Sequence, residues 1–442
     1  EGHRFAVRSV SSGSPLLSWG LPFGVATRDI RAGDYICNAS ILEALRGRDA
    51  EMDMLLRTEL LRTVRLLEES ASMARLDPRE VELDTAVRWG MRVLFLQNDP
   101  AAALGVFHGI EERWEEEAEG YELAWMHMRL YQAAARIERA AEGDWPQARA
   151  WLRQVEQTTE EMSNGAAAPT SMKGLFWWAQ SPQVSRSMAI SQGRSWLVRT
   201  LKALALNYEG YLDQQQGRYA EAVKHYQASA MLQRRLAMAG LAPTLTNLSY
   251  TMALMGQFQN ARLLAQEAER WARLSGKEYV LALALNSRAL VEAYDNRPRD
   301  ALRYTERALK VAEGLRAPRV RGLLYLTRAR AHRYQLLAEE EREQQPQDFD
   351  EALKEANQAV NMLKDSPPER VMSLIERGCL LREMARGHYL ESREVQAVRA
   401  ARGSQRDLER AATLAGALEL PDQQALAWTN LGWLWYYAGQ IG

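Results

Sequence analysis

The chain has 442 residues, 47% of them hydrophobic and 26% charged, and a formal net charge of −1. This composition is ordinary for a folded globular protein, but the length exceeds what one compact core accommodates, so we expect several domains or one extended array. The nearly balanced charge excludes a global field that would attract nucleic acid or an anionic membrane, and no stretch approaches about 18 consecutive apolar residues.

The two cysteines, Cys37 and Cys379, lie far apart in the sequence. Two thiols form neither a disulfide framework nor a four-thiolate metal site, and they suit a reducing compartment. The first residues, Glu1–Phe5, lack the basic and then apolar layout of a signal peptide. We therefore predict a cytoplasmic protein. Because the chain starts without Met and stops just after an aromatic helix, we also expect it to be part of a larger polypeptide.

Residues 1–46 have the pattern of short strands and turns. Hydrophobic alternation and turn signals predict strands in Arg4–Val10, Leu16–Trp19, Val25–Ile30 and Tyr35–Cys37, with turns at Gly20–Gly24 and Arg31–Asp34. A short helix, Ser40–Leu45, closes this β-rich segment. Four brief strands do not bury a core alone, so we expect partner strands upstream.

From about residue 50 onward the pattern is helical. Apolar residues recur at three- and four-residue spacing, and Ala, Leu, Arg, Glu and Gln dominate. We predict connecting helices over 47–80 and helical repeats over 81–442. Insertions are expected near 163–183, 338–347 and 387–404.

One kind of turn recurs along the helical part. It joins two helices through small turn residues and an aromatic residue or proline, and an alanine follows that lets the second helix pack closely on the first. The six copies are Asn98–Ala103, Gly143–Ala148, Gln216–Ala222, Met255–Ala261, Asn296–Ala301 and Gln347–Ala352. Asparagines at Asn207, Asn247 and Asn286 are spaced by 40 and 39 residues. A fixed period of this size predicts a solenoid, because one helix pair does not cover its apolar face without a neighbour.

These repeats resemble the tetratricopeptide family over roughly residues 80–442. The matching residues are Trp428, Leu431, Gly432 and Trp435 in the last copy, and Gly210, Gly217, Tyr219, Ala222 and Tyr226 in an earlier one. The resemblance implies an all-α, right-handed superhelical solenoid of roughly seven or eight helix pairs that binds proteins or peptides. The period of about 40 exceeds the family's usual 34. It is similar to that of sensor arms in bacterial signal-transduction ATPases with numerous domains.

The β-rich segment resembles the later part of the SAF-type β-clip module of altronate and galactarate dehydratases. The residues that match are Gly2–Arg8 and Gly20–Asp34. Where many family members carry His-Thr-His-Asn, this chain has Cys37-Asn38-Ala39-Ser40, so two imidazoles are absent. The resemblance implies a docking module without catalysis, and a sugar-acid dehydratase relative is the rival interpretation.

The sequence offers no catalytic or cofactor motif. The P-loop, Gly-x-Gly-x-x-Gly, His-Glu-x-x-His and Gly-x-Ser-x-Gly patterns are all absent. The six histidines are scattered and are expected at the surface or in packing. Cys379 lies in a helical run and is expected as a buried small side chain. We therefore predict no enzyme activity, no catalytic residue, no cofactor and no metal site.

The repeated asparagines suggest a binding face. An amide serves a backbone N–H and a C=O at once, which suits an extended peptide, although the same amides could instead cap neighbouring repeats. We predict a partner-binding concave face formed by Asn207, Tyr211, Asn247, Tyr250, Asn286, Tyr294, Arg330, Arg333, Asn430 and Trp433.

Two aromatic segments leave alternatives open. Trp428 and Trp435 are expected on the core-facing stripe of the last helix, and Trp433 and Tyr437 on another face. These aromatic residues either pack against a further repeat or line the groove. The apolar loop Met172–Gln180 either caps the superhelix from inside or contacts a partner.

Together these features predict a protein- or peptide-binding scaffold, the sensor arm of a larger bacterial signalling protein. Its expected partners are a protein or peptide ligand and an output domain of the same polypeptide, with neither nucleic acid nor membrane. Partner binding would change the superhelix curvature and so release or recruit the output domain. Besides the dehydratase relative, a self-associating structural subunit joined through the last helix is the remaining alternative.

Overall fold

The computed structural model describes residues 4–5, 11–12, 15–18, 21–25, 29, 35–36, 87, 89–94, 99–114, 122–141, 143–163, 186–235, 240–315, 317–338 and 349–441. It divides into two compact units. The first comprises residues 1–89, 110–125 and 168–195, and the second comprises residues 90–109, 126–167 and 196–442.

Short antiparallel strand pairs form the N-terminal β element of the first unit. Strand β1 (Arg4–Phe5) pairs with β4 (Tyr35–Ile36), and β2 (Pro15–Ser18) pairs with β3 (Leu21–Val25). The prediction of a turn at residues 20–24 is wrong, because residues 21–24 belong to β3 and Leu21 pairs with Ser18 of β2. The predicted third strand, Val25–Ile30, therefore begins four residues too late.

Several predictions fall on residues outside this description. These are the connecting helices of 47–80, the apolar loop Met172–Gln180, the Cys37–Ser40 run of the SAF-type resemblance, and most of the insertions near 163–183 and 338–347.

Helices make up nearly all of the described residues after residue 98. Their bounds are α1 Pro100–Trp114, α2 Glu122–Arg139, α3 Asp144–Ser163, α4 Arg186–Gln215, α5 Tyr219–Arg235, α6 Leu241–Leu254, α7 Phe258–Ser275, α8 Glu278–Tyr294, α9 Pro298–Ala312, α10 Pro318–Ala338, α11 Asp350–Met362, α12 Pro367–Leu390, α13 Glu394–Ala417 and α14 Pro421–Ile441. The helices form pairs from α2 onward. The even-numbered member of each pair is called its first helix, and the odd-numbered member is called its second helix. By this numbering α14 is also a first helix. None of the described helices is long and apolar enough to cross a membrane.

The pairs stack in series from α5 to α14. Each helix packs on the next one, and each first helix from α6 to α12 also packs on the following first helix. Consecutive second helices in the same described stretch share no contact of comparable extent. The array therefore curves towards its first helices. The predicted all-α solenoid with a small N-terminal β element is confirmed.

Three of the recurring turns, those at residues 217, 256 and 296, share one backbone conformation. The N–H of Arg218 bonds the carbonyl of Asp213 at 2.8 Å, and the N–H of Gly217 bonds Gln214. This pair of bonds is the Schellman motif, which requires a left-handed residue, and Gly217 has φ +74°. Gly256 repeats it with φ +74°, and Asn296 takes the same place with φ +54°.

Small residues allow the helices of a pair to approach closely. The six alanines that follow the predicted turns are all fully buried: Ala103, Ala148, Ala222, Ala261, Ala301 and Ala352. On the first helices, a Cβ added at Gly210 would lie 2.9 Å from the ring of Tyr226. One added at Gly378 would lie 2.7 Å from Leu408. The sequence thus reserves space for the second helix of each pair.

Residues 387–404, a predicted insertion, are helical. They form the end of α12, a short turn and the beginning of α13. Both helices have 24 residues, whereas α8 has 17 and α9 has 15. The extra residues of this repeat therefore lengthen its two helices.

Polar contacts also join helices that are distant in the sequence. Arg319, at the beginning of α10, pairs with Glu138 of α2 at 2.7 Å and with Glu369 of α12. The hydroxyl of Tyr219 donates to Asp422 of α14 at 2.5 Å. The array thus returns to its own earlier helices within the second unit, and these contacts restrain its curvature.

Candidate functional site

All ten residues predicted for the partner-binding face lie on first helices. They are Asn207 and Tyr211 on α4, Asn247 and Tyr250 on α6, Asn286 and Tyr294 on α8, Arg330 and Arg333 on α10, and Asn430 and Trp433 on α14. Their common position follows from the repeat, because residues one period apart occupy equivalent helices. That these residues contact a partner stays a prediction.

Three of the ten form a buried ionic network with a residue that the sequence analysis did not select. Glu376 of α12, only 2% exposed, accepts bonds from Arg330 at 3.1 Å and from Arg333 at 2.6 Å. Arg330 also donates to the hydroxyl of Tyr294 at 2.8 Å. Burial alone would raise the pKa of Glu376, but the two arginines lower it below its ordinary value. These side chains therefore stabilise the stacking of α8, α10 and α12.

Asn430 is likewise engaged within the chain. Its Oδ1 accepts a bond from Arg382 at 2.6 Å and lies 3.1 Å from the thiol of Cys379. Its Nδ2 donates to the carbonyl of Leu426 at 2.8 Å. Cys379 is buried as expected, and burial raises the pKa of its thiol. In this repeat the amide has the role of capping a neighbour.

Two other asparagines differ in this respect. The Oδ1 atoms of Asn207 and Asn286 are buried and accept no hydrogen bond from any residue that the structure describes. Asn286 is only 5% exposed. Nearby on the same first-helix face, the rings of Tyr250 and Tyr294 lie 6.2 Å apart. A buried carbonyl oxygen without a donor is costly, which sets these two asparagines apart from Asn430.

The aromatic residues of α14 do not lie where the sequence predicted. Trp428 is 51% exposed and Trp435 is 53% exposed, so their placement on the core-facing stripe is wrong. The buried stripe consists of Ala427, Leu431 and Leu434 instead. Their spacing of four and three residues is equally helical, and the smaller side chains fit the close approach of α12 and α13.

A second polar site lies between α3, α4 and α5. It is a cleft of about 620 Å³. The lining residues are Trp145, Pro146, Arg149, Arg153 and Glu156 from α3, Glu209 and Asp213 from α4, Gln216 and Arg218 from the turn, and Glu221 and His225 from α5. None of the ten residues predicted for the partner-binding face lines this cleft.

Asp213 is the centre of the charged groups at one end of this cleft. Its carboxylate accepts bonds from Arg218 at 2.6 Å and from Arg149 at 3.0 Å, and it lies 2.9 Å from Nδ1 of His225. Burial would raise the pKa of Asp213, but His225 and the two arginines lower it to about 2. The hydrogen bond to Asp213 in turn raises the pKa of His225.

The other end of the cleft holds two less satisfied carboxylates. Oε2 of Glu209 lies 3.5 Å from Nε2 of His225. The Oε1 atoms of Glu209 and Glu156 are buried and have no hydrogen-bond partner among the described residues. Burial, and then the charge of Glu209, raise the pKa of Glu156 to about 7. Burial also raises the pKa of Glu209.

The sequence analysis missed this cleft. The available signal was the helical spacing of its charged residues, namely Arg149, Arg153 and Glu156 on one helix and Glu209 and Asp213 on the next. Such spacing is usually that of a solvated face, and only the arrangement of α3, α4 and α5 around one cleft encloses it.

One further group has ligand atoms close together. Atoms of His332, Glu351 and Glu355 lie within 4.8 Å of one another. However, Arg328 pairs with Glu355 at 2.9 Å and with Glu351 at 3.7 Å. A guanidinium thus already supplies positive charge to both carboxylates, and the predicted absence of a metal site stays a prediction.

By this architecture the chain is an α-helical repeat protein with a tetratricopeptide-like fold. No protein-family model matches it, and no curated protein matches it. Among solved structures, a Rap protein complexed with competence and sporulation factor is similar at 12% identity and a TM-score of 0.37, covering 82% of this chain and 100% of that one. The TPR domain of P58(IPK) is similar at 15% identity and a TM-score of 0.20, covering 78% and 98%. Because both TM-scores are below 0.5, the tetratricopeptide-like fold is assigned from the packing of this chain's own helices.

Proposed function

We propose that the chain is a protein- or peptide-binding scaffold whose first helices hold an extended segment of its partner. The single observation that carries this proposal is the pair of buried amide oxygens, on Asn207 and Asn286, that accept no bond from the described residues. The N–H groups of an extended backbone are the matching donors, and they occur whatever the partner's sequence. The role is recognition rather than catalysis, in the cytoplasm.

A selection of linear peptides tests this function. The full chain is used to enrich a random peptide library, and the affinity of an enriched peptide is measured by fluorescence anisotropy. We expect the double variant Asn207→Ala and Asn286→Ala to bind about tenfold more weakly, because two backbone N–H groups lose their acceptors. Asn260→Ala is the matched control, since Asn260 is exposed on the second helix α7. Unchanged affinity of the double variant would contradict the proposal.

We further propose that this scaffold is the sensor arm of a larger bacterial signalling protein. The repeat period of about 40 residues and its resemblance to such arms support this role. The contacts of Arg319 with Glu138 and of Tyr219 with Asp422 supply a means of response, because a guest seated on the first helices changes the curvature that these contacts restrain. An output domain of the same polypeptide would receive the change.

The change in curvature is measurable as a distance. Labels placed at Lys224 on α5 and at Ala425 on α14 report whether these helices separate when the enriched peptide is added. A shift in the distance distribution supports the sensor role. An identical distribution with and without saturating peptide contradicts it and leaves the binding function intact.

The half-exposed tryptophans of α14 favour a second candidate, self-association through this helix. Sedimentation of the full chain over a wide concentration range tests it. Dimers that disappear on replacing Trp433 and Trp435 by alanine would support a structural role, and a monomer throughout would exclude it.

A further inference from the structure

We propose that the cleft between α3, α4 and α5 binds an organic cation that carries N–H donors, a guanidinium or a primary ammonium, with Glu209 and Glu156 as its acceptors. This site shares no residue with the predicted partner-binding face. It therefore does not depend on the proposed peptide-binding face, and either of the two can fail without the other.

The unsatisfied carboxylates carry the proposal. Glu209 is 4% exposed, and its Oε1 has no hydrogen-bond partner in the described part of the chain. Oε1 of Glu156, on the facing helix α3, is buried and unpartnered in the same way. Leaving such acceptors without donors is costly, and an ammonium or guanidinium group offers several donors together with a compensating charge.

Two arginines of the cleft already pair with a carboxylate of the chain. Arg149 and Arg218 both bond Asp213, and Arg149 also donates to Gln216 at 3.2 Å. Glu221, at the rim, pairs with Lys224 at 2.8 Å. An anionic ligand would have to compete with Asp213 for Arg149 and Arg218. Arg153, the third arginine of the lining, is exposed. A cation instead meets buried carboxylate oxygens that have no donor among the described residues. The charge distribution thus selects a cationic ligand.

The spacing of the ligand atoms argues against a metal ion. Those of Glu156, Glu209 and His225 do not all lie within 4.8 Å of one another, in contrast with the group around His332. A guanidinium, with five donors spread over a plane, spans two separated carboxylates more readily than a single ion does. The cleft of about 620 Å³ admits such a side chain or a small molecule that carries the same group.

The groups that face Glu156 make the binding depend on pH. They are Glu209 and Lys202 from α4, His225 from α5 and Glu160 from α3. A cation requires the ionised form of Glu156, whose pKa of about 7 leaves it mostly protonated at pH 6. Protonated His225 would also repel the cation. We expect the affinity to increase by about tenfold between pH 6 and pH 8.

Calorimetric titration of the full chain at pH 8 tests the proposal with defined probes. These are N-acetyl-arginine amide, agmatine and N-acetyl-citrulline amide, which has the shape of the first probe without its charge. We expect saturable binding of N-acetyl-arginine amide or agmatine and at least about tenfold weaker binding of the citrulline probe. The first two probes distinguish a peptide-borne group from a free small molecule. The proposal would be overturned if the citrulline probe bound as tightly as the arginine probe, or if no probe bound at all. Zinc and phosphate are titrated in the same way, and saturable binding of only one of these ions would also overturn it.

Variants assign the binding to the two carboxylates. Glu209→Gln keeps the shape of the side chain and removes its charge, and we expect an affinity loss of about tenfold or more. Glu156→Gln should also reduce the pH dependence to the part that His225 contributes, which a merely structural role would not do. Glu161→Gln is the matched control, because Glu161 is exposed on the same helix α3 and does not line the cleft, and it should bind within about twofold of the wild type. Wild-type affinity and pH dependence in both Glu209→Gln and Glu156→Gln would refute the site.

Discussion

Glu376 offers the sharpest test of how the repeats are held together. Its carboxylate accepts bonds from Arg330 and Arg333, which lie on the neighbouring first helix, and all three side chains are largely enclosed. The substitution Glu376→Gln removes the negative charge and keeps the volume. Arg330 then retains its bond to Tyr294, but two guanidinium groups lose their counter-charge.

The expected cost is large because of this burial. Removing one partner of a buried ion pair typically destabilises a protein by about 3–5 kcal/mol, since an uncompensated charge remains inside. The exposed pair of Glu306 and Lys310, 3.1 Å apart on α9, gives the matched control. Its variant Glu306→Gln should cost below about 1 kcal/mol.

Replacing all three charged residues by methionine separates two explanations of that cost. A triple variant leaves no buried charge, so we expect it to be more stable than Glu376→Gln. The free energy of unfolding is followed by urea denaturation, and hydrogen exchange in α10 and α12 reports on the local effect, because a chain with two compact units need not unfold in one step. If Glu376→Gln costs no more than Glu306→Gln, the reasoning is refuted.

The pH dependence of this effect has a definite sign. The folded-state pKa of Glu376 is lowered, so its carboxylate contributes stability that is complete above its ordinary pKa and is lost as the pH falls through the folded value. The difference in unfolding free energy between wild type and Glu376→Gln should therefore shrink in acid. A difference that grows below about pH 4 would contradict the lowered pKa.

Two further substitutions test the close packing and the restrained curvature. Gly210→Ala should lower the melting temperature, because its Cβ would lie 2.9 Å from the ring of Tyr226, at a cost of about 1–3 kcal/mol. In contrast, Gly432→Ala meets no atom within 4 Å and should be neutral or stabilising. Tyr219→Phe removes the bond to Asp422 and should increase the hydrogen exchange of the first turn of α14, and unchanged exchange would show that this contact does not restrain the array.

The repeat architecture could be predicted because it depends on local signals. Gly217 and Gly256 mark left-handed turns, and the alanines that follow, Ala222 and Ala261, mark the closest helix contacts. Asn296 repeats the turn without glycine, since asparagine tolerates the same conformation. Each signal lies within a few residues of the feature that it predicts.

The cleft and the contacts between distant helices could not be predicted in this way. Glu209 meets His225 only through the rotation of α4 against α5, and Arg319 meets Glu138 across 181 residues. The first contact depends on how two neighbouring helices pack and the second on the accumulated curvature of the array, and no local pattern encodes either. Trp428 was misplaced for a related reason, because a first helix contacts both a second helix and another first helix, so several of its faces can be apolar.

The hydrogen bonds that the predicted face residues make within the chain indicate which of them remain for the proposed peptide. Arg330, Arg333 and Asn430 bond other residues of the chain, so replacing them perturbs the stacking before it perturbs any ligand. Asn207 and Asn286 leave oxygens without donors, and a guest can satisfy them at no cost to an internal bond. Binding should therefore depend mainly on α4 and α8, while α10, α12 and α14 set the curvature that presents them.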